Sequence, residues 1–323
     1  MAHSDNPNLS QLEQAAEHVY RTLRPTAQFC WPLLGARCGA EVWVKHENHT
    51  PTGAFKVRGG LVYLHKLKSS SPNLPGVILA STGNHGQSIA YAARRAELAA
   101  TIVVPHGNSP GKNAAMQALG ATLIEHGEDF NDALQFAQQR ARDLGLHMVP
   151  SYHELLMRGV ASYSLELLRA VPDLHTVYVP IGLGSGICGM VSARDALGLN
   201  ATIVGVVADK APTYKLSFER RQAVPTNSAN TFAAGIAVRI PDDEALTIIL
   251  RGVDRVISLS EEEIADAVRY YFLDTHNLAE GAGAAALAGL YQERERMAGK
   301  RVGVVLSGGN IDADVLTNIL SDA

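Results

Sequence analysis

Residues 45–60 read KHENHTPTGAFKVRGG, and they join a β-prone run to a helical pattern through a turn rich in Pro, Thr and Gly. The β-prone run is Glu41–Lys45, and Lys56 opens the apolar helical pattern. A lysine packed behind Phe55 would be partly desolvated, which lowers the pKa of its ammonium group and frees the amine to act as a nucleophile. The stretch therefore predicts a reactive lysine at the start of a helix that follows a strand.

Three further loops have the same position relative to a strand. Residues 81–87 read STGNHGQ, residues 182–189 read GLGSGICG and residues 307–310 read SGGN, and each follows a short apolar run. In open α/β sheets, ligands bind at the edge formed by the carboxyl ends of the strands. Glycines in the second loop would also let backbone amides point at a phosphate group, which the N-terminus of the next helix attracts.

Short apolar runs alternate with helical patterns along the whole chain, which predicts parallel sheets with helices on both faces. Ser260 and Asp129 lie at helix N-cap positions, and Gly145 and Gly198 lie where helices would stop. The predicted strands are Glu41–Lys45, Val77–Ala80, Thr101–Val104, Thr122–Glu125, Thr176–Ile181, Thr202–Val207, Arg255–Leu259 and Val302–Leu306. The helical patterns include Asn131–Leu144, Ser162–Ala170, Glu261–Leu273 and Ala282–Glu293.

The composition is that of a globular protein, and the net charge favours a small molecule over a nucleic acid as the ligand. The chain has 323 residues, of which 46% are hydrophobic and 19% charged, enough for a large core and two lobes. Its net charge of −4 argues against a nucleic-acid binder. Cys30, Cys38 and Cys188 form no Cys-x-x-Cys pair, so we expect free thiols and a cytoplasmic protein. The polar N-terminus and the lack of long apolar runs predict neither a signal peptide nor a membrane span.

Together, the four motifs resemble those of the fold-type II pyridoxal-phosphate (PLP) enzymes, in the serine/threonine dehydratase and serine racemase group, a tryptophan synthase β-like family. They occur in the family order and span residues 45–310. The resemblance implies two lobes, each a mostly parallel twisted sheet with helices on both faces, and PLP in the cleft between them. It also implies a large PLP-binding domain of residues 1–49 and 151–323, a small mobile substrate-side domain of residues 50–150, and a homodimer.

The resemblance gives each motif a role. Lys56 would form the Schiff base with PLP and take the α-proton of the substrate, and Thr82 would be a second catalytic residue on the opposite face of the ring. Arg58 is expected to form a structural ion pair. The residues that would contact the cofactor are Phe55, Lys56, Asn84, Gly182, Leu183, Gly184, Ser185, Gly186, Gly235, Glu280 and Ser307. The substrate would be bound by Ser81, Thr82, Gly83, Asn84 and His85, although a bond from His85 to the backbone is an equally open reading.

Some positions depart from the family pattern. Leu183 and Ser185 interrupt the glycines of the phosphate loop, where the Ser185 hydroxyl could donate to phosphate. Thr82 stands where racemising relatives often have serine and many dehydratases have alanine. Residues 159–162 read GVAS instead of the common Gly-Gln-Gly-Thr, which points to a substrate other than plain serine or threonine. In residues 205–213 only Asp209 offers an acidic ligand, so we expect no metal site there.

The implied activity is that of a PLP-dependent dehydratase, a carbon–oxygen lyase of the EC 4.3.1 type. It would convert a 3-hydroxy amino acid, by default L-threonine or L-serine, to a 2-oxo acid and ammonia by β-elimination. A larger substrate of the phenylserine, hydroxyaspartate or ectoine-catabolism type and an amino-acid racemase remain alternatives. An NAD-dependent oxidoreductase leaves Lys56 unexplained, and the acid expected about twenty residues after Gly184-x-Gly186-x-x-Gly189 is lacking. A non-catalytic binding protein is disfavoured because the whole set of motifs is present.

Overall fold

The computed structural model describes residues 6–321, and within them the chain forms a six-stranded and a four-stranded sheet. All strand pairs are parallel except the first two strands, which are antiparallel. The strands are β1 (Gln28–Cys30), β2 (Glu41–His46), β3 (Gly76–Ala80), β4 (Ala99–Val104), β5 (Thr122–Glu125), β6 (His147–Met148), β7 (Thr176–Pro180), β8 (Thr202–Ala208), β9 (Arg255–Leu259) and β10 (Arg301–Leu306).

Helices connect the strands and cover the sheets, and two short 3₁₀ turns lie at Glu47–His49 and Ala234–Ile236. The helices are α1 (Leu9–Tyr20), α2 (Pro32–Cys38), α3 (Lys56–Ser70), α4 (Asn84–Arg95), α5 (Pro110–Ala118), α6 (Phe130–Leu144), α7 (Glu154–Ala170), α8 (Ser185–Ala196), α9 (Thr213–Arg220), α10 (Asp243–Gly252), α11 (Glu261–Thr275), α12 (Gly281–Gln292), α13 (Arg294–Met297) and α14 (Ala313–Ser321).

The predicted fold class is confirmed, and each predicted strand is present with ends shifted by at most two residues. The predicted caps also form, because Ser260 and Glu263 make a reciprocal capping box and the Asp129 carboxylate accepts from the first turn of α6. The start of the predicted helix at Ser162 is wrong, since α7 begins at Glu154. Gly159 obscured the helical pattern, yet the structure uses this glycine for a close helix crossing. The short strands β1 and β6 were not predicted.

The strand order of the larger sheet brings three of the four motifs together. This order is β1-β2-β10-β7-β8-β9, so β10 lies between β2 and β7 and is parallel to both. The loops after these strands carry Lys56, Ser307 and the glycines from Gly182 onward, and they therefore meet at one edge of the sheet. The fourth motif follows β3 of the smaller sheet, whose order is β5-β4-β3-β6.

Helix α7 packs against both α3 and α8, which carry the lysine and the glycine loop at their N-termini. It crosses α3 closely: a Cβ atom on Gly159 would lie 2.4 Å from the Arg58 carbonyl oxygen, and one on Gly59 would lie 2.6 Å from the Leu156 carbonyl oxygen. Neither glycine can be replaced without a shift of backbone, so this crossing fixes α3 relative to the large sheet.

The strands of the smaller sheet all lie between residues 76 and 148. The bounds at residues 49/50 and 150/151, and the mobility of the small lobe, remain predictions. Among residues 6–321, no helix has both the length and the apolar character needed to cross a membrane.

Candidate active site

Lys56 is the first residue of α3, and its ammonium group reaches across to the glycine loop. Its Nζ donates to Ser185 Oγ over 2.9 Å and lies 5.1 Å from the centroid of the Phe55 ring. Although part of the side chain is open to the cleft, the surrounding protein desolvates the amine and lowers its pKa to about 8. The backbone is held on both sides, because Phe55 N donates to Ser307 O and Ser88 Oγ donates to Lys56 O.

The glycine loop precedes α8 and has no room for side chains at its turns. Gly184 has φ of +107°, and a Cβ atom there would lie 2.5 Å from Ala245 Cβ. A Cβ atom on Gly182 would lie 2.4 Å from the Gly235 carbonyl oxygen. The loop thus presents bare backbone amides and the Ser185 hydroxyl at the N-terminus of α8, where a phosphate group is favoured.

Tyr163 and Tyr214 hold the glycine loop through hydrogen bonds to backbone carbonyl oxygens. The Tyr163 hydroxyl donates to Gly186 O over 3.2 Å, and its ring packs edge-on against Phe55. The Tyr214 hydroxyl donates to Leu183 O over 3.1 Å. Sequence reasoning missed both tyrosines, because nothing in the residues around them marks a contact with a loop that is distant in the chain.

The residues after β10 run beside the turn that leads to Lys56. Ser307 is buried, and its hydroxyl group makes one long hydrogen bond of 3.4 Å to Ala282 O, so the protein holds this hydroxyl group only weakly. A Cβ atom on Gly308 would lie 2.2 Å from Glu280 Oε1, so a side chain there would displace the carboxyl group of Glu280. The predicted cofactor residues Glu280 and Ser307 therefore lie side by side at the edge of the sheet.

A chain of hydrogen bonds fixes the side chain of Asn84. Its Nδ2 donates to Glu280 Oε1 over 2.6 Å, and its Oδ1 accepts from Asn310 Nδ2 over 2.7 Å. Asn310 also donates to Thr52 O, so it connects the loop after β3 with the lysine segment. Burial raises the pKa of Glu280 to about 7, so near neutral pH this carboxyl group is close to half protonated. The role of Asn310 was not predicted, although the residue belongs to the SGGN motif.

Within the expected substrate loop, some residues are hydrogen-bonded to the rest of the protein and others make fewer such bonds. Ser81 Oγ accepts from Gly86 N over 2.8 Å and so closes the turn. His85 Nε2 lies 3.1 Å from Pro150 O, which is the backbone bond left open from the sequence. Burial and the neighbouring Lys56 lower the pKa of His85 to about 3, so its ring is neutral. Gly83 N makes one long bond of 3.4 Å to Ser81 Oγ, and contact of Thr82, Gly83 and the first amides of α4 with a substrate carboxylate stays a prediction.

Residues 159–162 lie in the interior of α7 and serve in helix packing. Ser162 Oγ accepts from Arg58 and donates to Gly159 O, and a Cβ atom on Gly189 of α8 would lie 3.1 Å from Ala161 N. The departure from the family pattern at these residues is thus accounted for by the contacts of α7 with α3 and α8. The influence of these residues on the choice of substrate stays a prediction.

The expected ion pair of Arg58 is present as a buried cluster. The guanidinium group binds Glu47 on one side and Glu166 on the other, and Lys45 also binds Glu166. In residues 205–213, Thr213 Oγ1 is bonded to two backbone carbonyl oxygens and Val207 is buried. No group of three or more His, Cys, Asp or Glu side chains suited to a metal ion occurs among residues 6–321.

The residues of this site fit PLP. A desolvated lysine lies next to a glycine cradle that would contact a phosphate group, and a loosely bound hydroxyl at Ser307 would face the pyridine nitrogen. The side chain of Asn84 is oriented by its bonds to Glu280 and Asn310. The neutral Ser307 would leave the ring nitrogen without the stabilising negative charge of a carboxylate.

Comparison with known proteins gives the same assignment. Residues 19–308 match the family described as "Pyridoxal-phosphate dependent enzyme". The chain is 32% identical to an L-threonine ammonia-lyase of Thermotoga maritima over 314 residues, which cover 97% of this chain and 78% of that protein. It is 29% identical to an L-threo-3-hydroxyaspartate ammonia-lyase of Saccharomyces cerevisiae, with 98% and 97% covered.

A solved structure agrees over the full chain. The processed form of threonine deaminase isoform 2 from Solanum lycopersicum superposes with a TM-score of 0.90 at 26% identity, covering 100% of this chain and 96% of that one. The match to the family model extends from the end of α1 to Gly308, and it includes the first three motifs and the first two residues of the fourth. The chain therefore belongs to the family of pyridoxal-phosphate dependent enzymes.

Proposed function

We propose that this protein is a PLP-dependent ammonia-lyase, which converts a 3-hydroxy amino acid to a 2-oxo acid and ammonia, with L-threonine or L-serine as the default substrate. The observation that carries the proposal is the position of Lys56. Its desolvated amine lies between the glycine loop and the loop that would bind a substrate carboxylate. The ammonia-lyases among the relatives support the same reaction class.

Bound through Lys56, the cofactor would draw electrons away from the substrate's Cα–H bond. Ser185 and the amides at the N-terminus of α8 would hold its phosphate, and Asn84 would hold its ring in register. The N-terminus of α4 would bind the substrate carboxylate. Once the substrate's amino group has displaced it, the free Lys56 amine would take the α-proton, and the β-hydroxyl group would leave with a proton as water. The released enamine would take up water and yield the 2-oxo acid and ammonia.

Two measurements on the purified protein test this proposal. We expect a visible absorbance band from lysine-bound cofactor, and formation of a 2-oxo acid from at least one of L-threonine, L-serine, threo-3-hydroxyaspartate and phenylserine. Lys56→Ala should lose both. Lys66→Ala, an exposed lysine of the same helix, should keep both and serves as the control. A protein that stays colourless with added PLP, or a coloured protein that forms no 2-oxo acid, would contradict the proposal.

We propose in addition that the protein is a homodimer. Apolar side chains are exposed along one face, which is built from β1, α2 and the end of α11: Phe29, Leu33, Leu273 and Leu278, each 46–59% exposed. The parts of this face are joined by the Arg37–Asp274 ion pair and the His49–Asn277 bond. A second copy would remove these side chains from water. Leu33→Asp should shift the sedimentation coefficient to that of a monomer, whereas Leu144→Asp, exposed on α6, should not.

We further propose that the protein works in the cytoplasm. Cys30, Cys38 and Cys188 are all free thiols, a state that a reducing compartment maintains. Burial raises the pKa of Cys38 to about 11 and of Cys188 to about 12, so both thiols are poorly reactive. Cell fractionation with an antibody against the protein tests this assignment, and recovery in a secreted fraction would contradict it.

A further inference from the structure

The carboxylate of Asp312 joins the segment after β10 to helix α5 of the small sheet. It accepts a hydrogen bond of 2.6 Å from Ser109 Oγ and forms an ion pair with Lys112 Nζ at 3.1 Å. Ser109 is the N-cap of α5, and Lys112 lies in its first turn. A single side chain thus binds the N-terminus of α5 at two points that are 203 and 200 residues earlier in the chain.

The segment that carries Asp312 is itself held firmly against the lysine turn. Phe55 N donates to Ser307 O over 3.0 Å, and Gly309 N donates to Gly53 O over 2.9 Å. Asn310 Nδ2 donates to Thr52 O over 2.8 Å. Asp312 therefore projects from a fixed support, so that its contacts with α5 can restrain α5.

Helix α5 in turn lies directly behind the expected substrate loop. A Cβ atom on Gly83 would lie 3.8 Å from Lys112 Cδ, and one on Gly86 would lie 2.4 Å from Met116 Sδ. Lys112 and Met116 lie on successive turns of α5, which packs against α4, so this side of α5 lies beside Gly83 and Gly86. A displacement of the first turn of α5 would change the space beside Gly83, which lies in the expected substrate loop.

We infer that Asp312 is a positioning residue, which holds Lys112 and α5 against the Thr82–Gly83 loop and thereby sets the affinity for the substrate carboxylate. This inference rests on the proposed function for its kinetic consequence only. An exposed ion pair contributes little free energy by itself, and Lys112 and Asp312 are 20% and 33% exposed. The effect arises because the bonds of Asp312 to Ser109 and Lys112 join helix α5 of the small sheet to the segment that follows β10 of the large sheet.

Hydrogen–deuterium exchange of the purified protein tests the restraint without any need for turnover. In Asp312→Ala, we expect faster exchange in the peptides that cover residues 81–87 and 109–118 than in the parent protein. Asp173→Ala is the matched control, because Asp173 is also an exposed carboxylate in an ion pair, with Arg301 at the opposite end of β10. Equal exchange of these peptides in Asp312→Ala and Asp173→Ala would overturn the inference.

Steady-state kinetics with the best amino acid of the panel tests the consequence. Asp312→Ala should raise KM about tenfold and change kcat less than about threefold, and Asp312→Asn, which keeps an acceptor for Ser109, should lie between it and the parent. A residue that only stabilised the fold would lower the melting temperature and the active fraction, and hence kcat, at constant KM. An unchanged KM therefore also overturns the inference.

A double-mutant cycle with Lys112→Met shows whether Asp312 acts through Lys112. If it does, the double variant should raise KM by less than the product of the two single effects. Independent, multiplicative effects would contradict the role given to this pair. If the parent protein turns over none of the amino acids, the proposed function fails, whereas the exchange experiment still decides the inference.

Discussion

At the scale of single residues, burial decides the chemistry of the site more than partner charges do. Lys56 has its pKa lowered by desolvation alone, and the pKa of Glu280 is raised chiefly by desolvation. The same cause leaves His85 neutral. The site therefore contains a neutral imidazole, a carboxyl group that titrates near pH 7 and an amine that titrates near pH 8.

The pKa of Lys56 predicts how the apoprotein takes up its cofactor. Only the neutral amine attacks an aldehyde, so the rate at which added PLP produces the visible band should rise with pH and level off above about pH 8. Stopped-flow absorbance between pH 6 and 9 measures this rate. Lys56→Arg should give no band at any pH. A rate that does not change across this range would show that the amine is not desolvated as described.

Glu280 predicts a pH dependence of stability. Its pKa is about 7 in the folded protein and 4.5 ordinarily, so the folded state binds the extra proton and loses this stabilisation as pH rises from about 4.5 through 7. Glu280→Gln has no such proton. The unfolding free energy of the Glu280→Gln apoprotein, minus that of the parent, should therefore increase by on the order of 1–2 kcal/mol between about pH 4.5 and 7. The increase is smaller than the full pKa shift implies, because part of the shift is screened at the open cleft.

Urea titrations at several pH values measure the difference for Glu280→Gln. Glu295→Gln is the control, because Glu295 is exposed on α13, and the difference between this variant and the parent should stay constant with pH. A constant difference for Glu280→Gln as well would mean that the carboxyl group is already ionised at pH 5.

At the scale of elements, α3, α7 and α8 place the reactive groups. The N-terminus of α3 carries Lys56 and that of α8 carries Ser185, and α7 packs against both helices. Close contact between α3 and α7 depends on Gly59 and Gly159, which let the two backbones approach. The distance from lysine to glycine loop thus depends on a helix crossing between Gly59, three residues after Lys56, and Gly159 of α7.

Gly159→Ala tests the importance of this crossing. The added methyl group would meet the Arg58 carbonyl oxygen at 2.4 Å, so α3 must move, and we expect a loss of about 1–3 kcal/mol in unfolding free energy together with a weaker cofactor band. Gly111→Ala, in α5, is the control, since the nearest atom to its Cβ is 3.9 Å away. Its stability should be equal to or above that of the parent. A Gly159→Ala protein with parental stability and colour would disprove the role of the crossing.

At the scale of the whole molecule, a buried cluster of charges unites segments that are far apart in the chain. Arg58 of α3 binds Glu47 after β2 and Glu166 of α7, and Lys45 of β2 also binds Glu166. Although burial by itself raises the pKa of Glu166, the guanidinium of Arg58 outweighs it and holds that pKa below its ordinary value. Arg58 lies two residues after Lys56 in α3, so the cluster anchors the lysine helix to the large sheet.

Removal of Arg58 should therefore destabilise the protein strongly. Arg58→Met leaves Glu47 and Glu166 buried with fewer partners, and we expect a loss of about 3–5 kcal/mol in unfolding free energy. Arg169→Met is the control, because Arg169 pairs with Glu13 at an exposed site, and its loss should stay below about 1 kcal/mol. Chemical denaturation measures both values. Similar losses in the two variants would show that the cluster does not anchor α3.

The sequence by itself determined the elements and the reacting groups of this protein. Strands such as Thr122–Glu125 and Arg255–Leu259, and caps such as Ser260, depend on residues close together in the chain, where apolar periodicity and side-chain hydrogen bonds act locally. The lysine, its glycine loop and the strand-end position of each motif were visible for the same reason.

Only the tertiary structure decided how these groups are supported. The insertion of β10 between β2 and β7, the contacts of Asn310 and the packing of α5 by Asp312 join residues at least 126 positions apart. The tertiary structure also placed residues 159–162 in a helix crossing. Such pairings leave no periodic signal in the chain, because they depend on which surfaces become buried against each other when the two sheets assemble.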